Sequence, residues 1–215
     1  MRTCDSPPIH QANLYPNETT KVCDLKIQID AVISKVNGML NCTKDNLLCF
    51  AVSLQPHFVV WSAAMALHDD LGYRARNITT RNAREEMFGL KDEGSHAVLS
   101  QQFFNQLGAY EAKHYNKAKA EIAEIYKHLR NKNAMLVMLT CIELSSAGRM
   151  QKILEVMKGY GATDFKYIEI HQSADNLNDG HGVEFLDALN AENPSPSDIE
   201  LGMSLFENLY VKIFT

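Results

Sequence analysis

The stretch AMLVMLTCIEL, residues 134–144, is apolar almost all the way round a helix. A helix without a polar face belongs in the middle of a core, with other helices packed around it. The pattern predicts a helix over Ala134–Lys158, closed by Gly159 and Gly161. Glu143 stands near the end of the apolar run. A carboxylate in such a place is costly unless it is paired, protonated or bound to a metal. Two readings are open. Either the helix leaves the core at LSSAG, residues 144–148, and Glu143 pairs with Arg149 or with solvent, or Glu143 points into a site.

Helices are expected on both sides of this one. Residues 1–19 read as a loose arm. Val22, Leu25, Ile29, Val32, Ile33 and Val36 give one apolar face to a helix from about Thr20 to Leu40. After a break at 41–45 comes a long apolar helix, about Asn46 to Leu71, which Pro56 should kink or interrupt and Gly72 should stop. Shorter helices follow at about Thr80–Phe88, Ser95–Leu107 and Lys113–Leu129, with a turn over 89–94 between the first two. Another starts near Thr163 or Asp164 and runs through His171; Asn176, Asn178, Asp179 and Gly180 weaken its end. Ser197 followed by Glu200 reads as a capping box opening a last helix, whose stripe is Leu201, Leu205, Leu209 and Ile213. No alternating run or hairpin turn suggests a strand. The expectation is all-α: about eight helices in one domain over residues 20–215.

The bulk numbers fit such a domain and exclude some functions. The chain has 215 residues, 46% hydrophobic and 22% charged, enough for one substantial core. A net charge of −5 without a basic cluster argues against nucleic-acid binding. The most basic stretch, Lys113 to Lys132, is interleaved with Glu121 and Glu124 and reads as a solvated helix face. Met1 to Pro16 carries three prolines and no apolar run, so it reads as neither a secretory signal nor a membrane span. Five cysteines without a Cys-x-x-Cys pair suit free thiols in a reducing, cytoplasmic setting. On that reading the glycosylation-type triplets at Asn17, Asn41 and Asn77 are chance matches.

Several polar residues sit where an apolar bundle should have none. His171 and Asp175 are four apart and share a helical face. Such a pair can hold one metal ion together, iron or manganese by ligand type, or it can be an ordinary hydrogen-bonded pair. His181 follows in a less regular stretch and by itself reads as a loop or helix-end histidine. Glu86 and His96 flank the turn at 89–94 and could face one cavity; Glu85 competes with Glu86, and both could be surface charges. Taken together, these residues and Glu143 form a set of the kind from which helix bundles build dinuclear iron sites.

Three segments carry a resemblance to a known family: NAREEMFGLKDEGSHAVLSQQFFNQLG (82–108), MLTCIELSSAGRMQKILEVMKGYG (138–161) and YIEIHQSADNLNDGHGVEFLDAL (167–189). Over about residues 80–190 the chain resembles the haem-oxygenase-like diiron oxidases and oxygenases, also described as iron-containing redox enzymes. Their fold is related to the thiaminase-II and PQQ-synthesis proteins. The resemblance implies a haem-oxygenase-like helical bundle that binds two ferrous ions, with manganese as the alternative metal. It implies that dioxygen is used to attack a C–H, C–C or N–H bond of a small molecule. The metal ligands it implies are Glu86, His96, Glu143, His171, Asp175 and His181, with one glutamate bridging. The partners are then a small-molecule substrate and dioxygen, without nucleic acid or membrane; a homodimer is compatible.

The last ligand departs from the family pattern. The expected position is 178, which is Asn178 here, and His181 stands three residues on. In a straight helix residue 181 is rotated by roughly 80° from residue 171. A bulge or break between Asp175 and His181 is therefore expected, turning His181 toward His171. A metal-free or single-metal binding protein of the same fold is the alternative if His181 stays outside. A thiaminase-II-like hydrolase would need Cys141 as its nucleophile beside a carboxylate, but Cys141 lies on a different helical face from Glu143. Haem oxygenase proper would need a histidine in the first helix, and His10 precedes it. Tyr167 and His57 could line a pocket, although a packed core tyrosine and a histidine at a kink are the plainer readings.

Overall fold

The computed structural model of the chain describes residues 17–89, 94–174 and 180–215. Its centre is the helix expected from the apolar run, α8 (Lys132–Gly159). Asn131 caps its start by accepting from the Ala134 N–H at 3.1 Å. Every residue from Ala134 to Glu143 is buried, so the helix contacts protein on all sides. It does not leave the core at residues 144–148: Ser145, Ser146 and Arg149 are buried as well.

The other elements are α1 (Asn17–Met39), α2 (Lys44–Ser53), α3 (Gln55–Ala66), α4 (Tyr73–Phe88), α5 (His96–Phe104) with a 3-10 turn over Asn105–Leu107, α6 (Ala112–Asn116), α7 (Lys119–Lys127), α9 (Lys166–Ala174), α10 (His181–Glu192) and α11 (Pro196–Phe214). Among the described residues there is no strand, and the all-α architecture is as expected. α1, α3, α9, α10 and α11 all pack on α8, α3 and α10 pack on α4, and α5 bridges α4 and α9. The buried apolar residues form one cluster, with Trp61, Tyr167, Tyr210, Phe50 and Phe104 among its largest members.

Several boundaries differ from the expectations. The long apolar segment breaks at Leu54, one residue before α3, and Pro56 occupies the first turn of α3, where its missing N–H costs nothing. Lys44–Ala66 is long and apolar enough to cross a membrane by composition, but 67% of its 18-residue apolar window is buried in the protein. α4 begins at Tyr73, not Thr80; Gly72 precedes it as its N-cap. α11 is opened by Ser195 and Asp198, not by Ser197 and Glu200, with Pro196 in the first turn. Leu205, Leu209 and Ile213 are buried as the stripe predicts. α1 starts at Asn17, inside the stretch read as an arm; residues 1–16 lie outside the described residues.

Two glycines allow close approaches to α8. A Cβ on Gly202 would stand 2.4 Å from the Ala134 carbonyl oxygen, so only glycine lets α11 sit this near. A Cβ on Gly182 would stand 3.0 Å from both the Leu144 nitrogen and its Cα. That second contact draws the start of α10, and so His181, against the part of α8 that carries Glu143.

Candidate metal centre

Five of the residues singled out in the sequence, Glu86, His96, Glu143, His171 and His181, converge on one small cavity. Its wall is made by Leu54, Gln55 and Phe58 of α2–α3, Glu86 of α4, His96 of α5, Ile142, Glu143, Ser146 and Arg149 of α8, His171 of α9 and His181 of α10. The cavity is about 20 Å³, room for one or two water-sized occupants. Glu86, His96, Glu143 and His171 are all buried.

Glu86, His96 and His171 come closest. One ligand atom from each lies within 4.8 Å of the other two. His96 Nδ1 lies 3.1 Å from Glu86 Oε1, and the His96 and His171 rings are 4.9 Å apart. Glu86 Oε2 is buried and has no hydrogen-bond partner among the described residues. Burial pushes the Glu86 carboxyl up, but the hydrogen bond from His96 and the nearby His96, His171 and His181 outweigh it and bring it below the usual carboxylate range.

The two adjacent glutamates point in different directions. Glu86 faces the cavity, whereas Glu85 pairs with Arg81 at 3.7 Å and with His181 at 2.8 Å. His181 uses Nε2 in that pair. His181 is the first residue of α10, and Gly180 before it is extended, with φ −79° and ψ 178°. The helix therefore does not run unbroken through position 180, and His181 reaches the cavity that His171 lines. Asp175 and Asn178 lie outside the described residues.

Glu143 accepts from Asn82 Nδ2 at 2.7 Å. The Asn82 amide thus engages one of the two carboxylate oxygens. Arg149 does not answer for it: its Nη1 donates to Ser145 Oγ at 2.6 Å, and the guanidinium lies over the Phe50 and Tyr210 rings at 5.5 and 5.2 Å. Arg149 forms no ion pair among the described residues, and its buried charge offsets the carboxylates of the same cavity.

Behind the histidines sits Tyr167, its ring 4.4 Å from that of His171 and its hydroxyl accepting from Gln55 Nε2 at 2.6 Å. Burial, then the charge of Glu86, hold its phenol well above the ordinary value, so it stays protonated. His57 is elsewhere: it meets the Tyr126 hydroxyl at 2.9 Å and stacks on Trp61. Cys141 is fully buried in the core, outside the cavity wall, and burial pushes its thiol far up. That environment makes an unreactive thiol and offers a hydrolase nothing.

Asn82 and Ser146 were not singled out in the sequence, and Arg149 only as a surface partner for Glu143. For Asn82 a signal exists: Thr79, Asn82 and Glu86 fall at helical spacing on the buried side of α4, a polar stripe where an apolar one is normal.

The family model described as iron-containing redox enzyme matches residues 49–202. That span is more than two thirds of the chain and contains the whole cavity wall. The chain matches no curated protein.

Proposed function

Because this chain belongs to the iron-containing redox enzyme family, we propose that its buried carboxylate–histidine cluster holds two ferrous ions and uses dioxygen to oxidise a small molecule. The observation that carries this reading is Glu86. One of its oxygens is buried without a hydrogen-bond partner among the described residues, and Glu86 belongs to a group of three ligand atoms within 4.8 Å of one another. A carboxylate oxygen left so in a core is costly, and a cation beside it removes the cost. Oxygen and imidazole donors without sulfur suit iron or manganese, so the residues fit the metal the family name implies.

In this reading Glu86, His96 and His171 hold metal directly, and Glu143, His181 and Asp175 complete the ligand set. Iron bound there would supply the binding and reduction of dioxygen. The chain's own residues do the rest. Tyr167 fixes the orientation of His171, and Glu85 that of His181. Leu54, Phe58 and Ile142 form an apolar wall that limits water around the ligands. Arg149 adds a fixed positive charge to the wall that Glu86 and Glu143 also line.

The test is dioxygen uptake. Protein loaded anaerobically with ferrous ion and then exposed to oxygen should consume it in proportion to bound iron, and Glu86→Ala should abolish the protein-dependent part. Uptake equal to that of iron in buffer would count against the proposal.

A second reading, one metal ion alone, has its own support. Only Glu86, His96 and His171 bring ligand atoms within 4.8 Å of one another among the described residues, while Glu143 and His181 are engaged by Asn82 and Glu85. Iron stoichiometry separates the two.

A further inference from the structure

Three helices meet in a buried polar chain one step outside the ligands. Ser62 on α3 donates its hydroxyl proton to Asn82 Oδ1 on α4 at 2.9 Å. Asn82 Nδ2 donates in turn to Glu143 Oε1 on α8 at 2.7 Å. All three residues are buried; Ser62 is 0% exposed and Asn82 1%.

From this geometry we infer that Asn82 is a positioning residue for metal binding, which aims Glu143 at the cavity and is itself held in orientation by Ser62. The inference rests on the metal-binding reading above. Its direction follows from the chemistry of the groups. An ionised carboxylate only accepts hydrogen bonds, so the amide must present nitrogen to Glu143 and oxygen to the other side. A hydroxyl on that other side donates to the oxygen and opposes a flip. One Glu143 oxygen is thereby fixed, and the carboxyl can turn only about that point. Asn82 lies one turn before Glu86 on α4, so the helix that supplies one candidate ligand also aims another. Partners of this kind outside the ligands are worth about 10–100-fold in metal affinity.

The alternative is a buried amide that merely satisfies a core carboxylate. The two differ in what the metal feels. Cobalt(II) serves as the probe, titrated into metal-free protein and followed by visible absorbance, with melting of the metal-free protein measured alongside. Asn82→Leu should weaken cobalt binding by about 10–100-fold. Ser62→Ala should weaken it less, in the same direction. A purely structural role would lower the melting temperature of the metal-free variants and leave cobalt affinity as in the wild type. If both variants bind cobalt as the wild type does, the inference is overturned and the metal-binding reading stands. If the wild type binds no cobalt, both fall. Should Asn82→Leu fail to fold, Ser62→Ala decides, since it removes a single hydroxyl.

Discussion

His171 Nδ1 lies 2.9 Å from the main-chain carbonyl oxygen of Tyr167, one turn earlier on α9. A carbonyl oxygen only accepts, so Nδ1 carries the proton, and the lone pair of the neutral ring is on Nε2. The main chain of α9 thus selects the tautomer that can ligate.

The Tyr167 side chain is therefore separable from that function. Tyr167→Phe keeps the carbonyl and the ring but removes the hydroxyl that accepts from Gln55. Leaving the buried Gln55 amide without that partner should cost about 1–3 kcal/mol in urea unfolding. Metal affinity should stay within a few-fold of wild type. A loss of metal binding as large as that of His171→Ala would show that the hydroxyl matters to the ligands.

Gly182 couples the fold to the centre. Gly182→Ala places a methyl 3.0 Å from the Leu144 backbone, and α10 must move away from α8. Overpacking of this kind costs about 1–3 kcal/mol. Because His181 is adjacent, bound iron should fall as well. Circular dichroism melting and iron analysis on the same samples check both; a variant with full iron content would mean that His181 does not depend on this contact.

Metal should stabilise the folded chain by mass action. At a free ferrous ion concentration near 100 times the dissociation constant the gain is about 2.7 kcal/mol. For a chain of this size that raises the melting temperature by about 5–10 °C. Glu143→Gln should melt no lower than wild type without metal, since it removes a buried charge, and should lose most of the metal-dependent rise. Equal rises in both proteins would remove Glu143 from the ligand set.

A pH effect is expected far from the centre. Hydrogen bonds from Ser195 and then Asn131 hold the Asp198 carboxyl below the usual range. A carboxyl lowered on folding stabilises the fold above its unfolded pKa, and that contribution is lost as pH falls through the folded value. Asp198→Ala should cost about 1 kcal/mol at pH 7, the usual size of a capping contribution. The difference in melting temperature from wild type should narrow below about pH 3.9. A difference constant with pH would mean that the ionised capping box at the start of α11 does not stabilise it.

The central helix and the bundle were legible in the sequence because residues 134–144 admit no solvent-facing side, and the same run made Glu143 conspicuous. Glu86, His96, His171 and His181 were legible as a set, not singly. Their convergence depends on close packing of α4, α5, α9 and α10 that no local pattern encodes. The break at Gly180 was foreseen from its neighbours, but α10 itself was not separated from α9. Asn82 was overlooked because a lone asparagine in a charged helix reads as surface unless its spacing from Thr79 and Glu86 is noticed; its packing against Ser62 and Glu143 places it inward. The Ser197–Glu200 box was misplaced by two residues because Ser195 carries the same signal, and Pro196 after it is the better first-turn residue.

The most direct measurement of the central claim is the number of ferrous ions bound per chain under anaerobic conditions, for wild type and for His181→Ala. The proposal predicts two for the wild type and a loss of at least one for the variant. No bound iron in the wild type would contradict the metal centre itself. One ion in both proteins would retain Glu86, His96 and His171 as a single-metal site and contradict the two-iron assignment.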